Sequence, residues 1–595
     1  MHKRRAAEPA PVVQTSLAPT DTATTDAKAT AAEATGTCRL LLSQSYILRL
    51  DPKEQRAMAP YPPLGTLFAA SVLRQAGHEV NLFDAMLTDG PEQIDRMLDR
   101  VAPDLLVIYD DDFNYLTKMC LTRMRGAAFR MIAAARERDI PVAIHSSDAT
   151  DRKEAYFEAG VNFLLVGESE RTLRELADLL GSMKSRGAES AEIFRLDATT
   201  IPGIHQRQAE GTIVSGLPRR AERDLDTFPF PSRDLVDIDR YRRIWRKRHG
   251  RFSMNMVTTR GCPFHCNWCA KPLYGQRYAS RSPANVVAEI VTLAERYEPD
   301  HLWFCDDIFG LRPGWVETFA DELEQAGLRI PYKALSRADL LLRGATIEGL
   351  ARSGCETIWI GAESGAQSVL DAMDKGTTLA EIAEARRQLG AHGIRVGFFL
   401  QFGYPGEQAD EVAATVAMVR ALMPDEIGIS VSYPLPGTPF HDRVVAEMGE
   451  HHNWQESADL AMMFRGSYTT DYYRALAAWL HKDHRLRLAR NGIAKLLGGS
   501  HGRSGSIPWR RILLLPWYVT MRRLYRSKMR RSGGPFQFDA AEKWVFEGGG
   551  DETARADDPT VVGDAAQGGT VPETADLAQS NSVASDPITS INLRR

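Results

Sequence analysis

The chain has 595 residues, of which 44% are hydrophobic and 25% are charged, and its formal net charge at pH 7 is -4. This length exceeds what one hydrophobic core usually serves, so we expect two or three domains. The mildly acidic balance argues against general affinity for nucleic acid, and seven cysteines, an odd number, exclude a secreted disulfide framework. With no secretory segment near the start and no long apolar run, the sequence predicts a cytoplasmic protein.

Both ends of the chain have the composition of disordered tails. Residues 1–36 are rich in Ala, Thr, Pro and Asp, and residues 546–595 are acidic, rich in Gly and Ser and short of aromatic residues. Neither segment can bury enough apolar surface to offset the entropy lost on folding. We therefore expect no packed structure in either tail.

Residues 37–181 alternate short apolar runs with longer amphipathic ones. The runs Cys38–Leu42, Glu79–Phe83, Asp104–Ile108, Pro141–Ile144 and Asn162–Val166 are typical of buried strands. The segments Leu64–Gln75, Pro91–Arg100, Thr122–Arg138, Arg152–Ala159 and Glu170–Leu180 between them are typical of helices. This alternation predicts a doubly wound, Rossmann-like α/β domain with a parallel sheet, which binds ligands at the carboxyl ends of its strands.

The regular pattern ends in residues 182–250. Two short apolar runs, Ile201–His205 and Ala209–Val214, are joined by a glycine turn and predict a hairpin. We interpret the whole stretch as a linker that packs on the domains at either side.

Three cysteines lie close together in the loop Arg260–Cys269. Cys262, Cys266 and Cys269 have three and two residues between them, and such thiols can converge on one inorganic cluster. Three thiolates leave one iron of a [4Fe–4S] cluster open to a small molecule. Zinc is the alternative, but its sites usually take cysteines in two-spaced pairs with a fourth ligand downstream. The other cysteines, Cys38, Cys120, Cys305 and Cys355, are expected to be small apolar core residues.

Residues 251–445 repeat the strand-helix alternation six times. The expected strands are Met254–Thr258, His301–Cys305, Tyr332–Ser336, Thr357–Ala362, Arg395–Phe402 and Glu426–Tyr433. Six such units predict a (β/α)6 partial TIM barrel that is open on one side, with its working face at the carboxyl ends of the strands.

Residues 446–545 are predicted to form a helical extension. Within it, residues 485–531 are strongly basic and contain interleaved aromatic and leucine side chains. Such a stretch either lies on an anionic membrane surface or caps the barrel with its charges in water.

The CxxxCxxC spacing and the barrel pattern resemble the radical S-adenosylmethionine (SAM) superfamily. The resemblance implies a [4Fe–4S] cluster on Cys262, Cys266 and Cys269. It also implies contacts to SAM from residues of the cysteine loop and of the strand ends, which are Phe264, Trp268, Asp306, Asp307, Ser336, Arg337, Glu363, Ser364, Gln401 and Gly403.

The domain at residues 37–181 is similar to the cobalamin-binding modules that precede many radical SAM cores. This similarity implies cobalamin contacts from Ser43, Pro63, Leu64, Gly65, Ser146, Ser147, Gly167 and Glu168. The family motif DxHxxG, whose histidine can replace the corrin's own base beneath cobalt, is absent. Any bound corrin is therefore expected to have no protein histidine beneath its cobalt.

These resemblances imply a cobalamin-type radical SAM enzyme that reductively cleaves SAM to a 5′-deoxyadenosyl radical and functionalises an unactivated carbon. Methyl transfer through methylcobalamin is the first interpretation, and an oxidative cyclase like that of anaerobic chlorophyll biosynthesis is the second. A non-catalytic cobalamin or metal sensor is the third. The enzyme interpretations imply a small-molecule substrate, with a lipophilic one as an option, and a flavodoxin- or ferredoxin-type reductant. As further partners, they allow peripheral membrane contact through residues 485–531, and they imply no binding of nucleic acid.

Overall fold

The computed structural model describes residues 36–117, 121–269, 277–449, 454–458, 460–497 and 512–538. The predicted tails lie almost entirely outside these ranges, as does Cys120. The described residues belong to one compact unit that contains two large sheets, one in a first domain (residues 36–215) and one in a barrel (residues 253–431).

The first domain is a seven-stranded sheet in the order β2-β1-β3-β4-β5-β6-β7. Its strands are β1 (Arg39–Ser43), β2 (Glu79–Phe83), β3 (Leu105–Tyr109), β4 (Val142–His145), β5 (Phe163–Leu165), β6 (Ile204–Arg207) and β7 (Ile213–Ser215). The first five strands are parallel, and β6 and β7 are antiparallel to their neighbours. The predicted doubly wound sheet is confirmed.

Helices cover both faces of this sheet. They are α1 (Pro52–Ala57), α2 (Leu64–Gln75), α3 (Ile94–Val101), α4 (Thr122–Arg136), α5 (Ser147–Asp151), α6 (Lys153–Ala159), α7 (Glu170–Ser185) and α8 (Ser190–Ile193). Parallel strands need such crossovers, so β3 and β4 are buried throughout, β1 is buried after its first residue, and their sequences are mostly apolar.

The hairpin predicted in the linker extends the first sheet. Its strands are β6 and β7, and β6 pairs antiparallel with β5 through Leu164 and His205. The sheet therefore extends beyond residue 181, the predicted end of the first domain. A single hairpin has no sheet of its own to bury its apolar face, so it adds to the nearest open edge.

The remaining linker is fixed to the barrel by a buried ion-pair cluster. Arg233 and Arg281 both bond the carboxylate of Glu289, at 3.1 and 2.5 Å, and all three side chains are buried. The two guanidinium groups outweigh the effect of burial and lower the pKa of Glu289. Between linker and barrel lies α9 (Ile238–His249), which begins at the N-cap Asp237.

The barrel is an open, all-parallel sheet of six strands in the order β15-β14-β13-β12-β11-β8. These are β8 (Ser253–Met256), β11 (His301–Phe304), β12 (Tyr332–Ser336), β13 (Cys355–Glu363), β14 (Arg395–Phe402) and β15 (Glu426–Val431); the short β9 (Thr259–Arg260) and β10 (Ala279–Ser280) pair beside it. The predicted partial barrel is confirmed.

Helices follow the strands on the outside of the barrel, and some of them begin at capping residues. They are α10 (Pro283–Tyr297), α11 (Trp315–Gln325), α12 (Ala338–Leu341), α13 (Thr346–Arg352), α14 (Gln367–Ala372), α15 (Leu379–Ala391), α16 (Ala409–Leu422) and α17 (Pro439–Val444). Ser282 caps α10 ahead of Pro283, and Thr378 forms a capping box with Glu381 on α15.

Two helices of the predicted extension pack against each other beside the barrel. These are α18 (Thr470–Leu497) and α19 (Leu515–Arg531). Buried Asp483 on α18 bonds Arg420 of α16 and Arg522 of α19, which joins both helices to the barrel. Among the described residues, no helix combines the length and the apolar character needed to cross a membrane.

Candidate functional site

The cysteine loop leaves β9 at the carboxyl end of the barrel. Gly261 has φ of +79°, a conformation that glycine adopts without strain, and it turns the chain over the strand ends. Asn267 then anchors the loop: its backbone bonds Met373 and Phe440, and its side chain bonds Ala372, Asp374 and Tyr404. These bonds fix the loop between α14 and α17.

Cys262, Cys266 and Cys269 line one cavity of about 90 Å³, which we call the cluster cavity. None of the three forms a disulfide. Within the described ranges, no three His, Cys, Asp or Glu side chains converge closely enough to hold a single metal ion. A cubane cluster spreads its thiolates over different irons, so the three cysteines need only line one cavity to hold it.

Most of the residues predicted to contact SAM also line the cluster cavity. They are Phe264, Trp268, Asp307, Ser336, Arg337, Glu363 and Gln401. Trp268 is 8% exposed, and its indole N–H has no acceptor among the described residues. A buried donor facing a cavity without an acceptor fits a ligand with carboxylate, hydroxyl and ring-nitrogen acceptors, and SAM has all three.

Arg337 holds the cavity wall together. Its guanidinium carbon lies 3.8 Å from the centroid of the Phe264 ring. It donates to the carbonyls of Lys375 and Gly376 and pairs with Asp339. One of its nitrogens also lies 4.0 Å from the sulfur of Cys266.

Three of the residues predicted for SAM lie elsewhere. Ser364 bonds the Thr415 hydroxyl, and Gly403 donates its N–H to Glu407. One oxygen of Asp306 accepts from Thr258 and Thr259, and the residue lines a different cavity. Each lies at a strand end as expected, but its polar atoms turn to brace neighbouring loops.

Sequence reasoning missed several residues of the cluster cavity. Trp359 and Phe399 line it, and alternation along β13 and β14 places them on the same inner face as Gly361 and Gln401. Counting that alternation would have found them. Lys375 also lines the cavity and pairs with Glu363 at 2.8 Å, but it follows α14 in a loop where no periodic pattern indicates it.

A second cavity of about 130 Å³ lies between the first domain and the barrel, and we call it the interdomain cavity. Loops after β1, β2 and β3 line one side, including Tyr46, Met86, Asp111 and the segment 113–116. Barrel residues line the other side, namely Asn255, Trp303, Cys305, Asp306, Asp307, Lys333, Leu335 and Phe399. Asp307, Leu335 and Phe399 line both cavities, so the two adjoin.

The eight residues predicted for cobalamin are engaged in contacts within the protein. Neither cavity is lined by any of Ser43, Pro63, Leu64, Gly65, Ser146, Ser147, Gly167 or Glu168. The Ser43 hydroxyl donates to the Phe83 carbonyl, Gly65 N–H donates to Asp111, and Ser146 caps α5. Their placement at the sheet's carboxyl edge is as predicted, but contacts with a ligand stay a prediction.

Glu168 belongs to a buried ion-pair cluster of three residues that sequence reasoning did not find. Arg260, the first residue of the cysteine loop, bonds Glu168 at 3.2 Å and Glu170 at 2.7 Å, and all three are at most 5% exposed. The guanidinium carbon also lies 4.3 Å from the centroid of the Phe228 ring. The cysteine loop is thereby tied to the carboxyl edge of the first sheet.

Two carboxylates share this single guanidinium group. Burial raises the pKa of Glu168 to about 7, and Arg260 acts against that rise. Removing the arginine would therefore leave two acids buried without a cation.

Comparison with known proteins agrees with this geometry. Residues 256–419 match the model of the Radical SAM superfamily. An uncharacterized methyltransferase of Pyrococcus horikoshii is 27% identical over 65% of this chain and 79% of its own length. The anaerobic magnesium-protoporphyrin IX monomethyl ester cyclase of Synechocystis is 27% identical over 58% of this chain, which spans under two thirds (64%) of that relative.

Among solved structures, the radical SAM methyltransferase TsrM from Kitasatospora setae, with cobalamin and a [4Fe–4S] cluster bound, has a TM-score of 0.56. The match is 20% identical and covers 70% of this chain and 76% of the other. It shows that the two proteins share the two-domain fold.

Replacing any of the three cluster cysteines should abolish cluster assembly. The wild-type protein should contain about four irons per chain. We expect Cys266→Ala to lose most of this iron and the accompanying sulfide, because two thiolates cannot hold the cluster in place. Anaerobic iron and sulfide analysis with the visible spectrum measures this. Cys355→Ala, at a buried thiol outside the cavity, is the matched control; full iron content in Cys266→Ala would contradict the assignment.

Arg260→Met should destabilise the protein by about 3–5 kcal/mol, since it leaves two buried carboxylates without a partner. A carboxyl whose folded pKa is raised supports the fold below its unfolded pKa, and this support is lost as pH rises through the folded value. Without Arg260 the pKa of Glu168 rises further, so the deficit relative to the wild type should grow as the pH rises above about 7. Thermal unfolding at several pH values measures it.

The matched control for this variant is the triple change Arg260→Met, Glu168→Gln and Glu170→Gln, which removes the charges together and should recover part of the loss. A single Arg260→Met variant as stable as the wild type would show that the ion pairs do not hold the loop.

Proposed function

We propose that this chain, whose barrel is a radical SAM domain, is a cobalamin-dependent methyltransferase that acts on an unactivated carbon of a small molecule. The observation that carries the proposal is the contact between the two cavities through Asp307, Leu335 and Phe399. A substrate at this contact would be within reach of SAM in the cluster cavity and of a methyl donor at the edge of the first sheet.

The cluster and SAM fit the residues present. Cys262, Cys266 and Cys269 would hold the cluster, while Trp268 would donate to SAM and Phe264 and Arg337 would enclose it. When bound, the cluster and SAM supply a 5′-deoxyadenosyl radical, and cobalamin supplies a methyl group, which is chemistry that amino-acid side chains lack. The residues of the chain bind these groups, orient the substrate and exclude water.

Cobalamin fits the position and chemistry of the interdomain cavity. The cavity lies at the carboxyl edge of a doubly wound sheet, the usual place for ligands of this fold. Asp111 and Asn114 line it and can bond the amide groups of a corrin. At about 130 Å³ the cavity is smaller than a corrin, so binding requires movement of the loops after β1 and β3.

Neither His78 nor His145, the two histidines between Cys38 and Leu180, is placed to bind cobalt. His145 bonds Asp112 through one ring nitrogen and the Leu165 carbonyl through the other. His78 bonds the Cys38 N–H and Asp178 in the same way. A corrin in the interdomain cavity would therefore lack a protein histidine beneath cobalt, which agrees with the missing DxHxxG motif.

Relatives supply two candidate reactions. The uncharacterized methyltransferase of Pyrococcus horikoshii supports methyl transfer, and the cyclase of Synechocystis supports an oxidative ring closure. We place the enzyme in the cytoplasm. Its reductant would be of the flavodoxin or ferredoxin type, because the cluster needs a low-potential electron.

The nucleoside products distinguish between these two reactions. Reconstituted protein with SAM, a strong reductant and hydroxocobalamin should form S-adenosylhomocysteine only when cobalamin is present, and 5′-deoxyadenosine only when the cluster is present. With the substrate, the two should form in about equal amounts. Liquid chromatography with mass spectrometry measures both.

The Cys266→Ala variant, which should form no 5′-deoxyadenosine, is the control. Product formed with 5′-deoxyadenosine but no S-adenosylhomocysteine would replace methyl transfer by the cyclase reaction. Failure to form either nucleoside with an intact cluster would favour a sensor.

We also propose that α19 contacts an anionic membrane surface. Leu513 and Leu514, just before the helix, and Trp517 and Leu524 within it are 44–78% exposed. Trp517 and Leu524 are seven residues apart and share a helix face, and the last turn carries Lys528, Arg530 and Arg531. Exposed apolar side chains with flanking basic charge are typical of helices that lie in a membrane interface.

The full-length protein should sediment with vesicles that contain phosphatidylglycerol and much less with pure phosphatidylcholine vesicles. The double change Trp517→Ser and Leu524→Ser should release most of the bound protein, since it removes the apolar anchors. Leu217→Ser, at an equally exposed leucine in the linker, is the control. Equal binding by the double variant and the wild type would refute membrane contact through α19.

A further inference from the structure

The inner face of the barrel carries a preformed aromatic surface. Leu335, Trp359 and Phe399 form a cluster of their own, with Trp303 packed against it. The rings of Trp359 and Phe399 are stacked with centroids 4.6 Å apart. Gly397 makes this possible, because a Cβ there would lie 2.4 Å from the Trp359 ring. The surface is therefore flat, apolar and accessible from both cavities.

One cation lies beside this surface. Lys333 pairs in register with Trp303 across β12 and β11, and its amino nitrogen lies 4.1 Å from the centroid of the Trp303 ring. Among the described residues that line the interdomain cavity, Lys333 is the only lysine or arginine. No ion pair joins Lys333 to a carboxylate in the described part of the chain, although Glu54, Asp111, Asp306 and Asp307 line the same cavity.

A mostly buried ammonium group without a counter-ion is costly in free energy. Burial lowers the pKa of Lys333 to about 8, with Arg251 adding to the effect and Cys305, Glu426 and Glu356 acting against it. The amine thus keeps its proton at neutral pH. It presents a positive charge that has no ion-pair partner in the described part of the chain to whatever occupies the cavity.

We infer that the substrate has a flat apolar or aromatic body and one anionic group, a carboxylate or a phosphate, that pairs with Lys333. The inference rests on the proposed function, because it takes the barrel side of the interdomain cavity as the substrate site. Lys333 is the second residue of β12, whereas Asp306 and Asp307 follow the end of β11. The anion would lie deep in the barrel, with the acids at the mouth disfavouring a second negative group.

The apolar body would then lie along Leu335 and Phe399, which line both cavities. A carbon of that body, several bonds away from the anionic group, would face the cluster cavity. Lys333 is in this scheme a specificity-determining residue that fixes which end of the substrate reacts.

The test uses probes that differ in charge alone, with full-length reconstituted protein and isothermal titration calorimetry. We expect 2-naphthoate to bind about tenfold or more tightly than neutral 2-naphthamide, as a charge-assisted bond in a desolvated site provides. Lys333→Met should remove this preference and Lys333→Arg should keep most of it. Lys247→Met, at an exposed lysine of α9, should behave like the wild type.

Equal affinity of the wild type for naphthoate and naphthamide would overturn the inference, and so would binding of neither at millimolar concentration. Tighter binding of 2-naphthylmethylammonium would overturn it as well and point to Asp306 and Asp307. The wild-type comparison decides the matter even if Lys333→Met does not fold. Cluster-dependent 5′-deoxyadenosine formation, measured in parallel, tests the proposed function separately, because probe binding needs no radical chemistry.

Discussion

The buried bonds from Arg260 to Glu168 and Glu170 are the contact on which the arrangement of the site depends. Arg260 directly precedes Gly261 and the cluster cysteines, and the two acids follow the last parallel strand of the first sheet. A short loop between a fixed arginine and the anchored Asn267 has little freedom left. The first domain therefore sets the position of the thiols, in addition to any role in binding a cofactor.

The barrel sheet is open, so its interior needs cover from another part of the chain. Strands β8 and β15 end the sheet without pairing with each other, so the barrel interior is exposed at one side. The segment before α2 lies along β8, where Asn255 donates to the Pro62 carbonyl and Tyr61 bonds Ser253. The first domain thus lines the open side, and the interdomain cavity is formed by both parts of the chain.

The sequence predicts the fold well because fold class depends on periodicity. Alternating strand and helix patterns located every parallel strand of both sheets to within a few residues, and the cysteine spacing located the cluster loop. The sequence predicts the roles of individual side chains less well. A polar residue at a strand end can face the cavity, as Ser336 does, or turn to a neighbouring loop, as Ser364 does. That choice depends on partners distant in sequence, such as Thr415, and no local pattern contains it.

The same limit applies to the residues predicted to contact cobalamin, whose contacts with a ligand stay a prediction. Gly65 and Glu168 occupy the expected edge of the sheet, but Asp111 and Arg260 already bond them. A ligand can compete with such intramolecular bonds only where the chain leaves room, and the room lies further out, between the loops and the barrel. In that space the positive charge of Lys333 lies in the barrel interior, and the carboxylates of Asp306 and Asp307 lie at the mouth of the barrel. A molecule bound there would be oriented by charge before any cofactor acts on it, so the barrel can determine which carbon reacts.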